Sequence, residues 1–174
     1  RPLVLTVPTA AQKVTNTYDV AQADCVPALE TFVVGKLTRI ADESGSTRFC
    51  YDRRGKLARK VQAVSGGTSL TWAPTYDASG EIAAVTYPSG AIAAYHRNAA
   101  GRIDAVDVVP SASAPQAPVV SAVTYLPFGP ISTLPFVGGR TLSLAYDGNY
   151  GMDAVTDSVG SNHLSINYSL NVVG

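Results

Sequence analysis

The sequence contains little charge, few cysteines and histidines, and no long apolar segment. Charged residues make up 15% of the 174, and 13 basic residues balance 13 acidic ones, so no net field favours nucleic acid or an anionic membrane as a partner. No run approaches the roughly 18 apolar residues that cross a bilayer, and we expect no membrane span. Two cysteines and two histidines show no spacing typical of zinc ligands, so we expect no metal and no cofactor.

Long helices are also not expected, because 15 glycines and 11 prolines are spread along the chain and both residues weaken helices. Only 20–32 allows a short helical turn, and Pro27 interrupts it. Short runs rich in Val, Ile, Thr and Tyr, separated by turn formers, instead predict β-strands. We therefore expect an all-β fold, a curved antiparallel meander of short hairpins.

A recurring unit organises these strands: Tyr-Asp, a short gap, Gly, a basic or polar residue, and a branched apolar residue. Intact copies occupy 51–57 and 76–82. Weaker copies occupy 95–103, where His96 stands in for the Asp, and 146–152. A leading copy at 18–37 is split by a long insertion. Repetition of one small unit predicts a repeat architecture before any single residue is interpreted.

Each part of the unit has an expected structural role. The Asp accepts hydrogen bonds from backbone amides, and the Gly takes the left-handed conformation that reverses the chain. The Tyr ring packs on the neighbouring strand, and its hydroxyl is hydrogen-bonded or exposed to solvent. The apolar residue after the Gly anchors the next strand by packing. The residues expected to carry this scaffold are Tyr51, Asp52, Gly55, Leu57, Tyr76, Asp77, Gly80, Ile82, Gly101, Ile103, Tyr146 and Asp147.

Turn formers outside the unit predict two further reversals, at 42–45 and at 88–90. In both, Gly supplies the positive φ, and Asp or Pro fixes the entry to the turn. Across the first hairpin we expect Arg48 to pair with Asp42 or Glu43, at little gain in stability because the pair is at the surface.

The repeats divide the chain into three regions. Repeat hairpins fill 1–107, a loop rich in Pro, Ser and Ala covers 108–120, and further repeat strands fill 121–174. Proline makes the middle region unsuited to a central strand. A final strand pair is predicted at 142–146 and 164–170. The chain then stops in mid-pattern, and we expect it to be a section of a longer protein.

Cys25 and Cys50 permit a single disulfide. In the chain-entropy model that bridge would be worth on the order of 3 kcal/mol. Two buried thiols that pack as small hydrophobes fit the sequence as well. Sequence does not show whether the two side chains face each other, so both interpretations stay open.

A hydrolytic site around His163 is the catalytic hypothesis to weigh, because Asp153, Asp157, Ser161 and Ser165 lie near it in sequence. No nucleophile elbow accompanies these residues, and Ser and Asp are ordinary turn residues in a loop-rich chain. The basic cluster at 53–60 is more typical of a solvated strand face than of an anion site. We therefore expect no enzymatic activity.

The repeat units, together with 125–130 and 153–157, resemble the tyrosine-aspartate (YD) repeats of the Rhs family, large secreted polymorphic toxins of bacteria. The resemblance implies a β-sheet strip that spirals into a hollow shell, usually around the toxic C-terminal domain of the same polypeptide. The family's terminal self-cleavage motif and a toxin domain are not found in these residues. The chain is therefore similar to an internal section of shell wall, a structural scaffold that encapsulates a toxin cargo.

The same resemblance implies partners and location. The partners would be the remainder of a larger YD-repeat shell and its toxin cargo, and open sheet edges allow self-association. The protein would be secreted or delivered by a bacterial secretion system. Related repeats serve adhesion in animal teneurins, so the alternative is an extracellular adhesion or carbohydrate-binding module whose tyrosines stack on sugars. The regular position of Tyr51, Tyr76 and Tyr146 before the turn favours the structural role.

Overall fold

The computed structural model describes residues 3–6, 13–127, 129–158 and 164–168. These residues form fifteen strands and no helix, so the predicted all-β fold class is confirmed. No helix long and apolar enough to cross a membrane occurs in these ranges. The chain divides into two compact units, residues 1–92 and 93–174.

The first unit is a meander in which each strand pairs antiparallel with the next. Local hairpins account for this order, because each short strand is followed at once by a turn that returns the chain beside it. The strands are β1 Leu3–Thr6, β2 Lys13–Tyr18, β3 Leu37–Asp42, β4 Gly45–Tyr51, β5 Leu57–Val64, β6 Ser69–Tyr76 and β7 Ile82–Thr86.

The second unit begins within β8 and continues the same pattern. β9 pairs antiparallel with β10, and β11 to β15 form a five-stranded antiparallel sheet in chain order. The strands are β8 Ile92–Arg97, β9 Ile103–Val109, β10 Ala117–Val120, β11 Thr124–Tyr125, β12 Ile131–Pro135, β13 Thr141–Tyr146, β14 Met152–Asp157 and β15 Ser165–Asn167.

Register separates the two faces of the sheet in the first unit, since directly paired residues share a face. One face carries Arg48 opposite Val61 and Cys50 opposite Arg59; we call it the insertion face. The other carries Lys60, which lies opposite Phe49 on one side and opposite Trp72 on the other; we call it the Trp72 face. On the insertion face Cys50 is 0% exposed and Val61 is 4% exposed.

The short helical turn that the sequence allows at 20–32 does not form, and the predicted pairing of Arg48 with Asp42 or Glu43 is wrong. Residues 20–32 form successive turns without a helix, because Pro27 cannot donate an amide hydrogen bond within a helix. Arg48 pairs with Asp24 from this segment at 2.8 Å. Asp42 instead accepts the Ser44 amide at 2.8 Å within its own turn, a local bond that competes with the cross-strand pair.

The structure also narrows the predicted loop at 108–120. β9 continues to Val109 and β10 begins at Ala117, so the loop is confined to 110–116. Pro118 lies within β10, opposite Asp107 of β9. A strand with proline is tolerated where the missing amide is not needed by a neighbouring strand.

The predicted final strand pair is also corrected. The strand at 141–146 pairs with β14, for which no strand was predicted. β14 in turn pairs with β15, and the described part of the predicted last strand is limited to 164–168. Acidic residues at both ends of β14, Asp153 and Asp157, weaken the apolar alternation on which strand prediction depends.

Candidate functional site

Seven turns in the described ranges share one hydrogen-bond pattern. In the first intact copy the Asp52 amide donates to the Lys56 carbonyl at 2.9 Å, and the Gly55 amide donates back to the Asp52 carbonyl at 2.9 Å. This pattern is typical of a three-residue hairpin loop that ends in a left-handed residue. The first residues of the seven turns are Asp52, Asp77, Tyr87, Asn98, Leu126, Phe136 and Asp147.

The repeat aspartate stabilises the turn through its side chain. One carboxylate oxygen of Asp52 accepts the amides of Arg54 at 2.8 Å and Lys56 at 2.9 Å. Burial opposes ionisation of this group, but the hydrogen bonds from Lys56 and Arg54 outweigh it, so the pKa of Asp52 lies below its usual value. At Asp77 the Ser79 hydroxyl, at 2.6 Å, is the main cause of a lowered pKa.

In the third copy the structure moves the turn two residues along the chain. Asn98 occupies the position predicted for His96, since its side chain accepts the Ala100 amide at 2.9 Å and the Arg102 amide at 3.2 Å. Gly101 has the expected positive φ of 76°. The side-chain carbonyl oxygen of asparagine accepts hydrogen bonds from backbone amides, as a carboxylate oxygen of aspartate does, so the turn forms without a carboxylate.

The fourth copy is shifted by one residue at its glycine. Asp147 accepts the amides of Asn149 and Gly151, both at 2.8 Å, as predicted for the repeat aspartate. Tyr150 takes the left-handed position with φ 64°, and Gly151 takes the position of Lys56. In this copy Tyr150 and not a glycine therefore supplies the left-handed residue.

The tyrosines of the repeats join each unit to the one before it. Tyr51 donates its hydroxyl to the Leu37 carbonyl at 2.8 Å, and Tyr76 donates to the Leu57 carbonyl at 2.9 Å. In each case the acceptor is the apolar residue two places after the preceding repeat glycine. Burial raises the pKa of the Tyr51 and Tyr76 hydroxyls. We call this contact the tyrosine lock.

Two further locks lie in the second unit. Tyr146 donates to the Ile131 carbonyl at 2.9 Å, and Tyr125 donates to the Ile103 carbonyl at 2.5 Å. Residues 125–131 were not predicted to be a copy of the unit, because they lack the Asp. The spacing from Tyr125 to Gly129 and Ile131 equals that from Tyr51 to Gly55 and Leu57, and this spacing is the signal that identifies it.

A basic residue after the repeat glycine completes the lock. Lys36 lies 5.6 Å from the centre of the Tyr51 ring and Lys56 lies 5.3 Å from that of Tyr76, within the range of a cation–π contact. Lys56 also donates to the Gly80 carbonyl at 2.7 Å. The basic cluster predicted as a solvated face is thus partly engaged in holding the next repeat.

The split leading copy is held by contacts of its insertion with the insertion face. Cys25 and Cys50 are joined by a disulfide, with Cα atoms 5.4 Å apart. Glu30 accepts two hydrogen bonds from the Arg59 guanidinium, each 3.0 Å long. Burial raises the pKa of Glu30, but the hydrogen bonds from Arg59 and the Val26 amide, together with the Arg59 charge, outweigh this effect, and the pKa is lowered overall.

His163 and Ser161, on which the hydrolase hypothesis rested, lie outside the described ranges. His96 lies 2.9 Å from Asp107, which also accepts from Gln116 at 2.6 Å. The Gln116 and His96 hydrogen bonds lower the pKa of Asp107. No group of three or more metal-ligating side chains occurs in the part of the chain that the structure describes.

Comparison with known proteins gives a likeness in structure but none in sequence. No family model matches the chain, and no curated protein matches it. Among solved structures, a crystal structure of TcdB2-TccC3-Cdc42 superimposes with a TM-score of 0.73 over 99% of this chain, at 15% identity. The Tc holotoxin pore of Photorhabdus luminescens, carrying a TccC3 mutation, gives a TM-score of 0.67 over 82% of this chain, at 17% identity.

These likenesses define the class of fold. The chain has the antiparallel β-meander found in part of these toxin-complex chains, and a structure of TcdB2-TccC3 without its hypervariable C-terminal region agrees, with a TM-score of 0.69 at 15% identity. The chain spans 8 to 9% of the length of the chains it matches.

Proposed function

We propose that the chain is a section of a secreted Rhs-type, YD-repeat shell that encloses a toxin cargo. The observation that carries the proposal is the tyrosine lock, because it places the repeated residues in contacts between successive hairpins. Tyr51 and Tyr76 donate to backbone carbonyls of the preceding unit, which is a structural use of the motif. The β-meander shared with parts of toxin-complex structures supports the same function.

In this proposal the chain has no catalytic role of its own. Its partners are the remainder of the shell and the cargo. The Cys25–Cys50 disulfide supports a secreted or delivered protein, since structural disulfides persist in oxidising compartments.

The alternative, a sugar-binding module built on the repeat tyrosines, has less support. A tyrosine that stacks on sugar must present its ring to solvent. Tyr51, Tyr76, Tyr125 and Tyr146 are part-buried and donate their hydroxyls to the backbone. We therefore assign these tyrosines to the scaffold.

Limited proteolysis of the full-length natural polypeptide that contains this chain tests the proposal. A shell protects its cargo, so we expect a cargo fragment that resists protease while the shell is intact. The double variant Tyr51→Phe, Tyr76→Phe removes two locks and should shorten the lifetime of that fragment. Tyr87→Phe is the matched control, because Tyr87 is 42% exposed and occupies the Asp position of its turn. A cargo segment cleaved as fast as an unfolded peptide would contradict the proposal.

A further inference from the structure

Residues 20–34, which we call the strap, lie against the insertion face of the first unit with little apolar burial. Five large apolar side chains of the strap are exposed, among them Leu29 at 67% and Val34 at 91%. The structure describes every residue of the strap, and only Cys25 and Val33 are buried. Because apolar burial is the main favourable term in folding, the strap depends on other contacts to stay on the sheet.

The contacts that attach the strap are covalent and polar. The disulfide ties it to β4. Asp24 lies 2.8 Å from the Arg48 guanidinium, and Glu30 accepts two hydrogen bonds of 3.0 Å from Arg59. These attachments impose the path of the strap, since Ala28 is held at φ 63°, a left-handed conformation that is unfavourable for a residue with a Cβ.

The sulfur atoms of the disulfide are shielded while the strap is in place. Cys50 is 0% exposed and Cys25 is 5% exposed, whereas thiol–disulfide exchange requires a thiolate to reach a sulfur atom. Arg59 lies directly opposite Cys50 on the insertion face, so its pair with Glu30 is next to the disulfide. A reductant therefore reaches the sulfurs only after the strap lifts, and the Glu30–Arg59 pair opposes that lifting.

We propose that the Cys25–Cys50 disulfide is a gated reduction site, at which a dithiol reductant releases the strap from the sheet. The strap opens locally while the sheet stays folded. A reductant thiolate then attacks one sulfur, the S–S bond breaks, and a mixed disulfide forms. The second thiol of the reductant displaces the cysteine from this intermediate. Two electrons pass to the protein, both cysteines become protonated thiols, and the reductant becomes a disulfide.

The consequence for delivery rests on the proposed function. A shell that passes from an oxidising into a reducing compartment would keep the strap closed before transfer and release it afterwards, because thiol reductants maintain reduced cysteines in the cytosol. Release of the strap can be measured without a cargo. A protected cargo beside an unreactive disulfide would overturn the gate alone, whereas a released strap beside an unprotected cargo would support the gate and contradict the shell.

Reduction kinetics under native conditions test the gate. The full-length natural polypeptide is treated with dithiothreitol without denaturant, then quenched and alkylated in acid, and mass spectrometry follows the thiols of Cys25 and Cys50. We expect full reduction at a rate above that of global unfolding, since local opening is sufficient. Arg59→Met removes the pair with Glu30 and should speed reduction about tenfold, the effect of losing roughly 1.4 kcal/mol from the closed state.

Two variants are matched controls for charge and for global stability. Lys60→Met removes a positive charge from the next residue of the same strand, on the Trp72 face. Tyr76→Phe removes a lock hydroxyl that donates to the Leu57 carbonyl, away from the strap. Both should be reduced at the unmodified rate. Acceleration in either control equal to that in Arg59→Met, or reduction no faster than global unfolding, would overturn the proposal.

Amide hydrogen exchange reports where the strap lies after reduction. The Phe32 amide donates to the Tyr51 carbonyl at 3.2 Å, and the Tyr51 amide donates to the strap at 3.1 Å. Both amides should exchange much faster once the disulfide is reduced, and equally fast in the Cys25→Ser, Cys50→Ser variant without reductant. The Asp52 amide, which closes the adjoining turn, should keep its protection. Unchanged exchange at Phe32 and Tyr51 would show that the reduced strap stays on the sheet, against the proposal.

Discussion

The two intact repeat turns differ in their side chains from the three that depart from the pattern, although all five keep the backbone hydrogen bond that closes the turn. In the copies at 51–57 and 76–82 an Asp begins the turn and a Gly ends it. At 98–102 an Asn replaces the Asp, at 147–151 Tyr150 replaces the Gly, and at 19–36 an insertion separates the two ends. The Asp19 amide still donates to the Lys36 carbonyl at 3.1 Å. The backbone pattern therefore tolerates changes in each side chain that supports it.

The comparison separates what forms the turn from what stabilises it. Local backbone geometry forms the hairpin, and side-chain caps, positive φ and the tyrosine lock each add a modest amount of stability. Where the turn is interrupted by an insertion, long-range contacts replace local ones. The disulfide, the positive φ of a turn glycine, the tyrosine hydroxyl and the aspartate carboxylate can each be removed separately by mutation.

Removal of the Cys25–Cys50 disulfide should have the largest effect. This covalent crosslink fastens the insertion of the split copy to the sheet, and the other repeat turns have no such crosslink. The Cys25→Ala, Cys50→Ala variant releases a crosslink between residues 25 positions apart and should lower the free energy of unfolding by about 3 kcal/mol. Urea denaturation measures the loss. A reductant should destabilise the natural chain by a similar amount and leave the variant unchanged. A loss below about 1 kcal/mol would show that local contacts suffice for the split turn.

Replacement of a turn glycine tests the need for positive φ. Gly80 has φ 88°, and an added Cβ would lie 3.2 Å from the Lys56 ammonium. Gly80→Val should therefore destabilise the chain by more than about 1 kcal/mol, and Gly55→Val should behave alike. The matched control is Gly148→Ala, where a Cβ meets open space. Equal melting temperatures for the natural chain and the Gly80 variant would contradict the turn assignment.

The intact copies and the fold class could be predicted from sequence, because their signals are local. A Tyr-Asp pair, a Gly three residues after the Asp, and alternating strands are visible at 51–57 and 76–82. The third and fourth copies were misaligned, because neither the capping role of Asn98 nor the positive φ of Tyr150 follows from residue identity. The structure shows the first in the hydrogen bonds that the Asn98 side chain accepts and the second in the backbone angle of Tyr150.

Apart from the possible Cys25–Cys50 bridge, the long-range partners could not be predicted from the sequence. Arg48 pairs with Asp24 and not with the nearer Asp42, because the insertion folds back onto the sheet. The carbonyl acceptors of the tyrosine locks lie 14 to 22 residues from their donors. Such pairs depend on which strands become neighbours, and the hydroxyl's partner is then a backbone atom that carries no sequence signal.

Loss of one lock should have a smaller effect than loss of the turn glycine. Tyr76→Phe keeps the ring and removes the hydroxyl that donates to the Leu57 carbonyl, which should cost about 1 kcal/mol, the usual net contribution of a hydrogen bond. Tyr87→Phe should cost nothing measurable, since its hydroxyl has no hydrogen-bond partner in the described ranges. Chemical denaturation of both variants measures the difference. Equal stabilities would remove the energetic basis of the lock.

The smallest expected effect is a difference in acid sensitivity between the turns that begin with Asp and the turn that begins with Asn98. The folded-state pKa values of Asp52 and Asp77 lie below the usual 3.8, so their contribution is present above pH 3.8 and is lost as pH falls through the folded values. The double variant Asp52→Asn, Asp77→Asn keeps a side-chain oxygen that accepts the backbone amides, as Asn98 does, but its two side chains cannot titrate. The fall in melting temperature on acidification should therefore shrink by about one or two degrees. Because Glu30, Asp42 and Asp107 also have lowered pKa values, some acid sensitivity should persist, and an unchanged acid profile would assign it to these three groups.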